Sequence, residues 1–580
     1  MRLILRESVG LLTSERVGAF DSHLKKLSRK GSLNPGDWDA LDALDPASQI
    51  LELKICDPAM GSGHFLVALV DYLADRVLEA IATATFLVGR QLWAAHLVET
   101  GRPWQSPVLA RLAHIRRSIK TTAKDHGWAV TDAQLDDRHI VRRMILKKTI
   151  FGVDKNPMAV ELAKTALWLH TFTVGAPLSF LDHHLKVGDS LHGEQLPEVQ
   201  RGLQNLGALL LRSEFDRLAL AAKNIAQVAD LTDVDIAEAQ LSKQLAAKAA
   251  AQVAPIHAVL DFWRALRWLV PGWPVDQISK LPKLLKASPS PQPSAQRGEG
   301  AIPALLPLPL REGRGEGSPN PLLAGLVKLL EPGQNLVALL AAGTLEGKDA
   351  ATQAANDLMA SARALAARET FFHWWTSFPT VFGTGSRGGF DAIIGNPPWD
   401  RIKLQEVEWF SERSPAIAAQ PRAADRKKMI AALEGVPMTQ TGTHTPPVVD
   451  LWAQYRQACE RAEANARVLG NGKLGSGDYP LLGGGDVNLY SLFVERAQSL
   501  AAKDGLISAA DAQRHCSRQG CVRVFPRHQR HRPAGRAIRF REPQGFLCRR
   551  SRQLQVLRSV VRRSRPGIRA NPMCVLPAPA

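Results

Sequence analysis

The stretch that decides the fold is FDAIIGNPPWD, Phe390–Asp400. Its apolar first half, bounded by Phe390 and Gly395, predicts a short buried strand. The strand leads into a turn whose residues are mostly restricted in conformation: Asn396, Pro397, Pro398 and Trp399. Each proline fixes one φ angle and lacks an N–H donor, and the residue before each proline is held near extended geometry. The carbonyl groups of the turn therefore point in set directions.

The turn presents an amide side chain, a carbonyl without a competing N–H donor, and the face of an indole. This set suits a planar base with an exocyclic amine, because it offers two acceptors for the amine and a flat surface for the ring. Taken alone, however, a Pro-Pro turn followed by a Trp is more often a structural corner with a packed side chain. Its meaning therefore depends on the rest of the chain.

A glycine-rich turn early in the chain predicts a ligand loop. Leu51–Cys56 alternates apolar and polar residues, which predicts a strand, and apolar residues recur at helical spacing from His64. Between them lies DPAMGSG, Asp57–Gly63. A strand, a glycine turn and a helix form the first unit of a doubly wound sheet, in which backbone N–H groups face a ligand. Ordinary connections also use glycine, but Asp57 at the strand end favours the ligand interpretation.

Two further carboxylates follow predicted strands. Thr149–Val153 predicts a second strand, and Asp154 after it is a candidate to bind ribose hydroxyls. Asp154 comes 91 residues after Gly63, where a plain nucleotide-binding unit has about 20, so an inserted helical hairpin is expected between them. A third short unit, His184–Val187, is followed by Asp189, which on its own would be a turn residue.

Composition divides the chain into four regions. Residues 1–195 hold N-terminal helices and the first half of an α/β sheet, and residues 196–370 are interpreted as a helical insertion. The insertion contains a Pro-, Gly-, Ser- and Arg-rich segment, residues 287–321, which cannot form a core and is expected to be disordered. Residues 371–508 hold the second half of the sheet, with an aromatic cluster expected in the core and a polar stretch of mobile composition. Residues 509–580 form an Arg-rich tail.

Bulk properties predict a cytoplasmic protein without a metal site. The net charge of the 580 residues is +18, but the tail from residue 511 holds 17 Arg, no Lys and only two acids, so the excess charge belongs to the tail. No apolar run approaches the roughly 18 residues of a membrane span, and no secretory leader is recognised. The six cysteines show no metal-binding spacing.

Four segments, taken in order, resemble the motifs of a known enzyme family. They are CDPAMGSGHFL from Cys56, FGVDKNPMAVELAK from Phe151, VGDS from Val187 and FDAIIGNPPW from Phe390. They resemble motifs I to IV of the adenine-N6 DNA methyltransferases, and most closely those of the large restriction-modification and phage-defence enzymes. The resemblance implies a Rossmann-like class I methyltransferase sheet, S-adenosylmethionine as cofactor, and double-stranded DNA as substrate.

The resemblance also implies cofactor-binding roles at the ends of the first three strands. The residues concerned are Asp57, Pro58, Ala59, Gly61, Gly63, Asp154 and Asp189. Asp57, Gly61 and Gly63 would hold the methionine moiety. Asp154 would bind the ribose hydroxyls, and Asp189 would bind the adenine amine of the cofactor.

Catalysis is implied at the NPPW turn: Asn396, Pro397, Pro398 and Trp399. The Asn396 side chain and the Pro397 carbonyl would accept hydrogen bonds from the N6 amine of a flipped adenine. Trp399 would stack on the flipped base, which offsets part of the unstacking cost by on the order of 1–3 kcal/mol. The implied activity is site-specific methylation of adenine N6 in a restriction-modification or phage-defence system.

The chain departs from the family pattern at both ends and is interpreted as truncated. Neither an upstream aromatic motif nor a downstream target-recognition domain is recognised, and the Arg-rich, Lys-free tail favours a shift of reading frame over a nucleic-acid arm. A separate or fused nuclease or specificity subunit is then expected as a partner. Two alternatives stay open: a catalytically silent remnant, and an NPP-type methyltransferase that acts on RNA or on a protein glutamine.

Overall fold

The computed structural model describes the chain from residue 1 to residue 526, with gaps. The gaps are residues 31–32, 92, 94–103, 126, 128–130, 132–134, 174–175, 206–211, 232, 234, 270–320, 332–333, 384–387, 435–450, 471–477, 482–487 and 511–521. The low-complexity segment predicted at 287–321 therefore lies outside the described residues except for Pro321, and so does the tail beyond residue 526. Within the described part, none of the helices has the length and apolar character needed to traverse a membrane.

A sheet of six strands forms the centre of the described chain, and it confirms the predicted α/β class. The strands are β1 Ile55–Asp57, β2 Ile150–Asp154, β3 Leu185–Val187, β4 Phe390–Gly395, β5 Ala501–Ala510 and β6 Val522–Pro526. They lie in the order β3-β2-β1-β4-β5-β6. The first five are parallel, and β6 pairs antiparallel with β5. This topology is consistent with a Rossmann-like methyltransferase fold.

The strand order reverses beside β1. Ile55 pairs with Ile150 of β2 on one side and with Ala392 of β4 on the other. In open α/β sheets, ligands bind beyond the carboxyl ends of the strands at such a reversal. The carboxyl ends of β1 and β4 therefore border the expected ligand crevice.

The first predicted strand was placed too early. Leu51 ends the helix α4, Pro46–Leu51, and only Ile55–Asp57 is extended. The helix begins because Pro46 suits its first turn and the Asp45 side chain accepts the Ser48 N–H at 2.9 Å. These capping signals outweigh the apolar-polar alternation. The second and third strands lie within one residue of their predicted positions.

Helices of the N-terminal region cover one face of the sheet. Besides α4 they are α1 Arg2–Glu7, α2 Val9–Leu27, α5 His64–Gly89, α6 Pro107–Asp125, α7 Asp137–Lys148 and α8 Pro157–His170, while α3 Pro35–Ala43 packs on α2 in a separate cluster. Helices α5, α6 and α7 lie between β1 and β2, which confirms the predicted helical insertion there. Ile55, Ile150 and Ile394 face this side and join one buried cluster with side chains of α5, α7 and α8.

The described residues between β3 and β4 are mostly helical. They form α9 Leu196–Asn205, α10 Arg212–Asp230, α11 Ile236–Leu269, α12 Pro321–Leu329, α13 Leu336–Ala342 and α14 Ala350–Glu369. Two short helices, α15 Trp374–Ser377 and α16 Pro379–Phe382, carry the aromatic cluster. Phe372, Trp374 and Phe378 pack on Phe151 and Phe390, on the second face of the sheet. The aromatic residues are therefore core, as expected.

The polar stretch after the NPPW turn is helical in its described part, which corrects the expectation of mobile composition. It contains α17 Glu406–Ser411, α18 Pro415–Ala418, α19 Ala423–Ala431 and α20 Leu451–Leu469, and α21 Leu489–Leu500 follows. Phe410, Ile417 and Ile430 form a small buried cluster with Tyr455, so a few apolar residues suffice to pack these helices together. Strand β5 then runs to Ala510, so the predicted boundary at residue 508 falls inside a strand.

Candidate active site at the carboxyl ends of the strands

Four of the predicted site residues follow four neighbouring parallel strands. Asp57 ends β1, Asp154 ends β2, Asp189 lies two residues beyond β3, and Asn396 comes directly after β4. Because parallel strands present their carboxyl ends at the same edge, these side chains share one edge of the sheet. The predicted cofactor-binding carboxylates and the NPPW turn therefore lie along one edge of the sheet.

The turn after β1 depends on two glycines with left-handed backbone. Gly61 has φ +54° and Gly63 has φ +82°, a region that side-chain-bearing residues rarely adopt. A Cβ on Gly63 would also lie 3.0 Å from the Cβ of Ala163 in α8. A Cβ on Gly61 would meet nothing within 4 Å, so the backbone there faces open space. The turn thus places backbone without side chains, and the first residues of α5, at the carboxyl end of β1.

The Asp57 carboxylate is buried beneath the crevice. It accepts the Ala59 N–H at 3.1 Å, and only 1% of the residue is exposed. Burial and the nearby negative charge of Asp154 raise the pKa of Asp57 to about 7, although the bond from Ala59 opposes the shift. Asp57 is therefore ready to gain or lose a proton near neutral pH.

Asp154 and Asp189 are held by backbone and lysine donors. Asp154 accepts the N–H of Gly61 and that of Asn156, both at 2.9 Å, which ties the end of β2 to the glycine turn. Asp189 accepts the Leu191 N–H at 3.0 Å and the Lys155 ammonium at 2.8 Å. Burial acts to raise the pKa of Asp189, but the neighbouring His192, Lys155 and the hydrogen bonds outweigh it and lower the pKa.

A further contact joins the first and third strand ends. The buried Ser190 hydroxyl donates to the Pro58 carbonyl at 2.6 Å. Ala59 packs beside Leu191 and Tyr479 in a small cluster. Pro58 and Ala59 thus contact the loop after β3, and Ser190 lies beside the predicted site residues.

The NPPW turn leaves its amide and indole accessible. Asn396 is exposed, Pro397 is buried and Trp399 is 48% exposed, so the tryptophan is not the packed side chain of a structural corner. Among the described residues, none forms a hydrogen bond with the Asn396 side chain. A Cβ on Gly395 would lie 2.6 Å from Oδ1 of Asp57. The bare backbone at Gly395 therefore brings the turn into direct contact with the carboxylate of β1.

Asn488, the residue before α21, contacts the last residues of the turn. Its Oδ1 accepts the Tyr490 N–H at 2.8 Å and caps α21. Its Nδ2 donates to the Trp399 carbonyl at 2.8 Å, and the Leu489 N–H donates to the Asp400 carbonyl at 2.9 Å. Capping propensity could have identified the first contact, but no local signal identifies the other two.

His257 and Asp261 of α11, together with His373 before α15, form a cluster of possible metal ligands. The Glu194 N–H donates to Nδ1 of His373 at 3.0 Å, so the ring proton lies on Nε2, which is 3.1 Å from Asp261. That nitrogen has no lone pair to offer a metal. His257 contacts the Thr376 hydroxyl at 2.8 Å. The hydrogen bonds thus favour an internal polar network over a metal centre.

The strand order is consistent with a Rossmann-like methyltransferase fold. Residues 148–420 match the family model of the Eco57I restriction-modification methylase. This part of the chain, from the end of α7 through the NPPW turn to α18, is a methyltransferase domain of that N6-adenine family. The matched range leaves out β1 and its glycine turn. Among curated proteins, none matches the chain.

Proposed function

We propose that the chain is a site-specific DNA methyltransferase, which transfers a methyl group from S-adenosylmethionine to N6 of a flipped adenine. It would act in the cytoplasm on double-stranded DNA, in a restriction-modification or phage-defence system, with a separate or fused nuclease or specificity subunit as partner. The contact between the Gly395 backbone and the Asp57 carboxylate carries the proposal. This contact supports a binding site for the methyl donor directly beside the NPPW turn.

The residues at the strand ends fit S-adenosylmethionine. The left-handed Gly61 leaves open space where a Cβ would stand, and Asp57 keeps a buried carboxylate whose bond from Ala59 leaves further lone pairs. Asp154 and Asp189 have acceptor capacity for hydroxyl and amine donors. When bound, the cofactor supplies an electrophilic sulfonium methyl group. Asp57, Gly61, Gly63, Asp154 and Asp189 would hold it.

Asn396 and Pro397 would prepare the nucleophile. The lone pair of an adenine amine is delocalised into the ring and is weakly nucleophilic. Hydrogen bonds from its two N–H groups to the Asn396 amide oxygen and the Pro397 carbonyl favour a more tetrahedral nitrogen with a more available lone pair. Trp399, half exposed beside them, offers a stacking surface that stabilises the flipped base.

The variant Asn396→Ala tests this assignment. We expect methyl transfer to adenine-containing duplexes to fall by roughly 100-fold or more, because loss of a positioned group in the transition state costs this much in comparable sites. Binding of labelled S-adenosylmethionine should stay unchanged, because Asn396 lies outside the cofactor turn. Asn335→Ala, at the exposed cap of α13, is the matched control and should leave both unchanged.

The same experiment separates the alternatives. Unchanged transfer in Asn396→Ala would refute the assigned role. Cofactor binding without transfer to any duplex by the unaltered chain would favour a silent remnant. Transfer to RNA or to a glutamine-containing peptide in place of DNA would favour an NPP-type enzyme with another substrate.

A further inference from the structure

We infer that a basic groove beside the NPPW turn holds the phosphate backbone of the DNA strand from which the target base is taken. The groove lies between the segment Trp399–Gln405, helix α17 and helix α20. The inference deepens the proposed function and rests on it, since it assigns the DNA-contact surface of the same site.

The size of the groove suits a polymer. Its volume is about 1300 Å³, and it is open to solvent. Pockets for small molecules usually have volumes of roughly 300–1,000 Å³ and enclose most of their ligand. An open groove larger than this range has room for a strand that enters and leaves, rather than for a single enclosed molecule.

One face of α20 forms a wall of the groove. The residues on that wall recur every three or four positions: Gln454, Gln457, Ala458, Arg461, Ala462 and Asn465. The two alanines leave space in front of the helix, and the amide side chains offer both donors and acceptors. Amides of this kind read base edges and contact phosphates.

The groove lining is strongly cationic. Its positive side chains are Lys155, Arg368, Arg401, Lys403, Arg413 and Arg461, against two acids, Asp400 and Glu408. Glu369 pairs with Arg368 and Arg461, at 2.9 Å and 2.8 Å. Lys403 and Arg413, in contrast, form no ion pair with a carboxylate of a described residue. Their charges are therefore available to a polyanion.

Aromatic side chains accompany the charges. Trp399 and Trp409 both line the groove, and the Arg413 guanidinium lies over the Trp409 ring at 4.7 Å from its centre. Grooves that bind single strands combine a positive track for the backbone with aromatic faces for unstacked bases. This combination favours a nucleic acid over an acidic peptide, which has no bases to stack.

The groove also adjoins the cofactor residues. Lys155 lines it and contacts Asp189 through its ammonium group at 2.8 Å. Asn465, on the opposite wall, contacts His192 in the loop after β3 at 2.5 Å. A strand in the groove would therefore pass between the catalytic turn and the loop expected to bind the cofactor.

The full chain with Lys403→Ala and Arg413→Ala tests the inference. Binding of a labelled duplex and of a single strand of the same sequence is measured over a range of salt concentrations. If both side chains contact phosphates, the slope of log K against log salt should become less steep by about 1.8 for the duplex or about 1.4 for the single strand. The probe whose slope changes is the form that lies in the groove.

The matched control is Lys427→Ala with Lys428→Ala. These two lysines are exposed on α19 and do not line the groove, so the control removes the same charge elsewhere. Thermal unfolding of both double variants should equal that of the unaltered chain. Equal salt slopes in the groove variant and the control would overturn the inference.

The failure of the groove and the failure of the proposed function are distinguishable. If the groove variant has a less steep salt slope but the unaltered chain transfers no methyl group, the DNA-binding role of the groove is supported and the proposed activity is refuted. If the unaltered chain transfers methyl groups and the salt slope of the groove variant is unchanged, the proposed activity is supported and the DNA-binding role of the groove is refuted.

Discussion

At the scale of single residues, Asn488 is the side chain whose two ends serve different elements. Its oxygen caps α21 and its amide nitrogen donates to the Trp399 carbonyl, each at 2.8 Å. An aspartate would keep the capping oxygen but could not donate to the carbonyl. The substitution Asn488→Asp therefore removes the contact to the turn while it leaves the cap of α21 in place.

We predict that Asn488→Asp lowers kcat for methyl transfer by roughly 2- to 10-fold, the equivalent of about 0.5–1.5 kcal/mol for a lost hydrogen bond. The midpoint of thermal unfolding and the affinity for S-adenosylmethionine should stay within error. Asn488→Ser, which keeps a capping oxygen but lacks the side-chain amide N–H, should lower kcat by a similar factor. A kcat equal to that of the unaltered chain would show that the Trp399 carbonyl needs no such support.

The protonation of Asp57 makes a prediction about pH. Burial raises its pKa from 3.8 to about 7, so between these values the folded chain holds a proton that the unfolded chain has lost. The contribution of Asp57 to stability therefore falls as pH rises through this window, by up to about 1.4 kcal/mol per pH unit. Asp57→Asn should remove this contribution. The measurement is the free energy of unfolding of both cofactor-free proteins in denaturant at pH 5 and pH 7. An equal change with pH in the unaltered chain and in Asp57→Asn would contradict the raised pKa.

At the scale of elements, Asp233 joins the insertion to the sheet. It is fully buried, with a left-handed φ of 52°, and accepts Lys147 of α7 at 2.7 Å and Ser242 of α11 at 2.6 Å. The Phe180 N–H before β3 donates to it at 2.8 Å. One carboxylate therefore connects two helices and a loop of the sheet.

We predict that Asp233→Asn destabilises the chain by on the order of 3–5 kcal/mol, because it removes the carboxylate that is hydrogen-bonded to the buried Lys147 ammonium. Asparagine tolerates the left-handed backbone, so the effect isolates the charge. Adding Lys147→Met should recover part of the loss. The measurement is the free energy of unfolding in denaturant, and an unchanged value for the single variant would show that solvent reaches the lysine.

Element positions followed from local patterns wherever caps and periodicity agreed. In α8, the Asn156 cap, Pro157 in the first turn and the helical spacing of the buried Val160, Ala163 and Leu167 agree with one another. The strand predicted from Leu51 was wrong in its first half because a capped helix takes those residues. The polar helices after the NPPW turn were missed, because their few apolar residues are buried only by one another.

At the scale of the whole molecule, the helical region after β3 holds the loop that carries Asp189. Arg264 and Arg267 of α11 both contact Glu194, at 3.3 Å and 3.0 Å, and both contact Asp478. Tyr479, next to Asp478, donates to the Leu191 carbonyl at 2.8 Å. The loop that carries Asp189 is thus held between the insertion and the segment that leads to α21.

The sequence by itself determined the α/β class, the strand ends with their carboxylates, and the restricted geometry of the NPPW turn. These are local properties, since they depend on periodicity, on proline and glycine dihedrals, and on residue order. Only the tertiary structure decided that Gly395 touches Asp57, that Asn488 supports Trp399 from 89 residues away, and that α20 faces the turn across a basic groove. Such contacts depend on how distant elements pack, and no local pattern records that. The residue types and backbone restrictions of Phe390–Asp400 are therefore visible in the sequence, whereas the residues that surround this stretch are set by the fold.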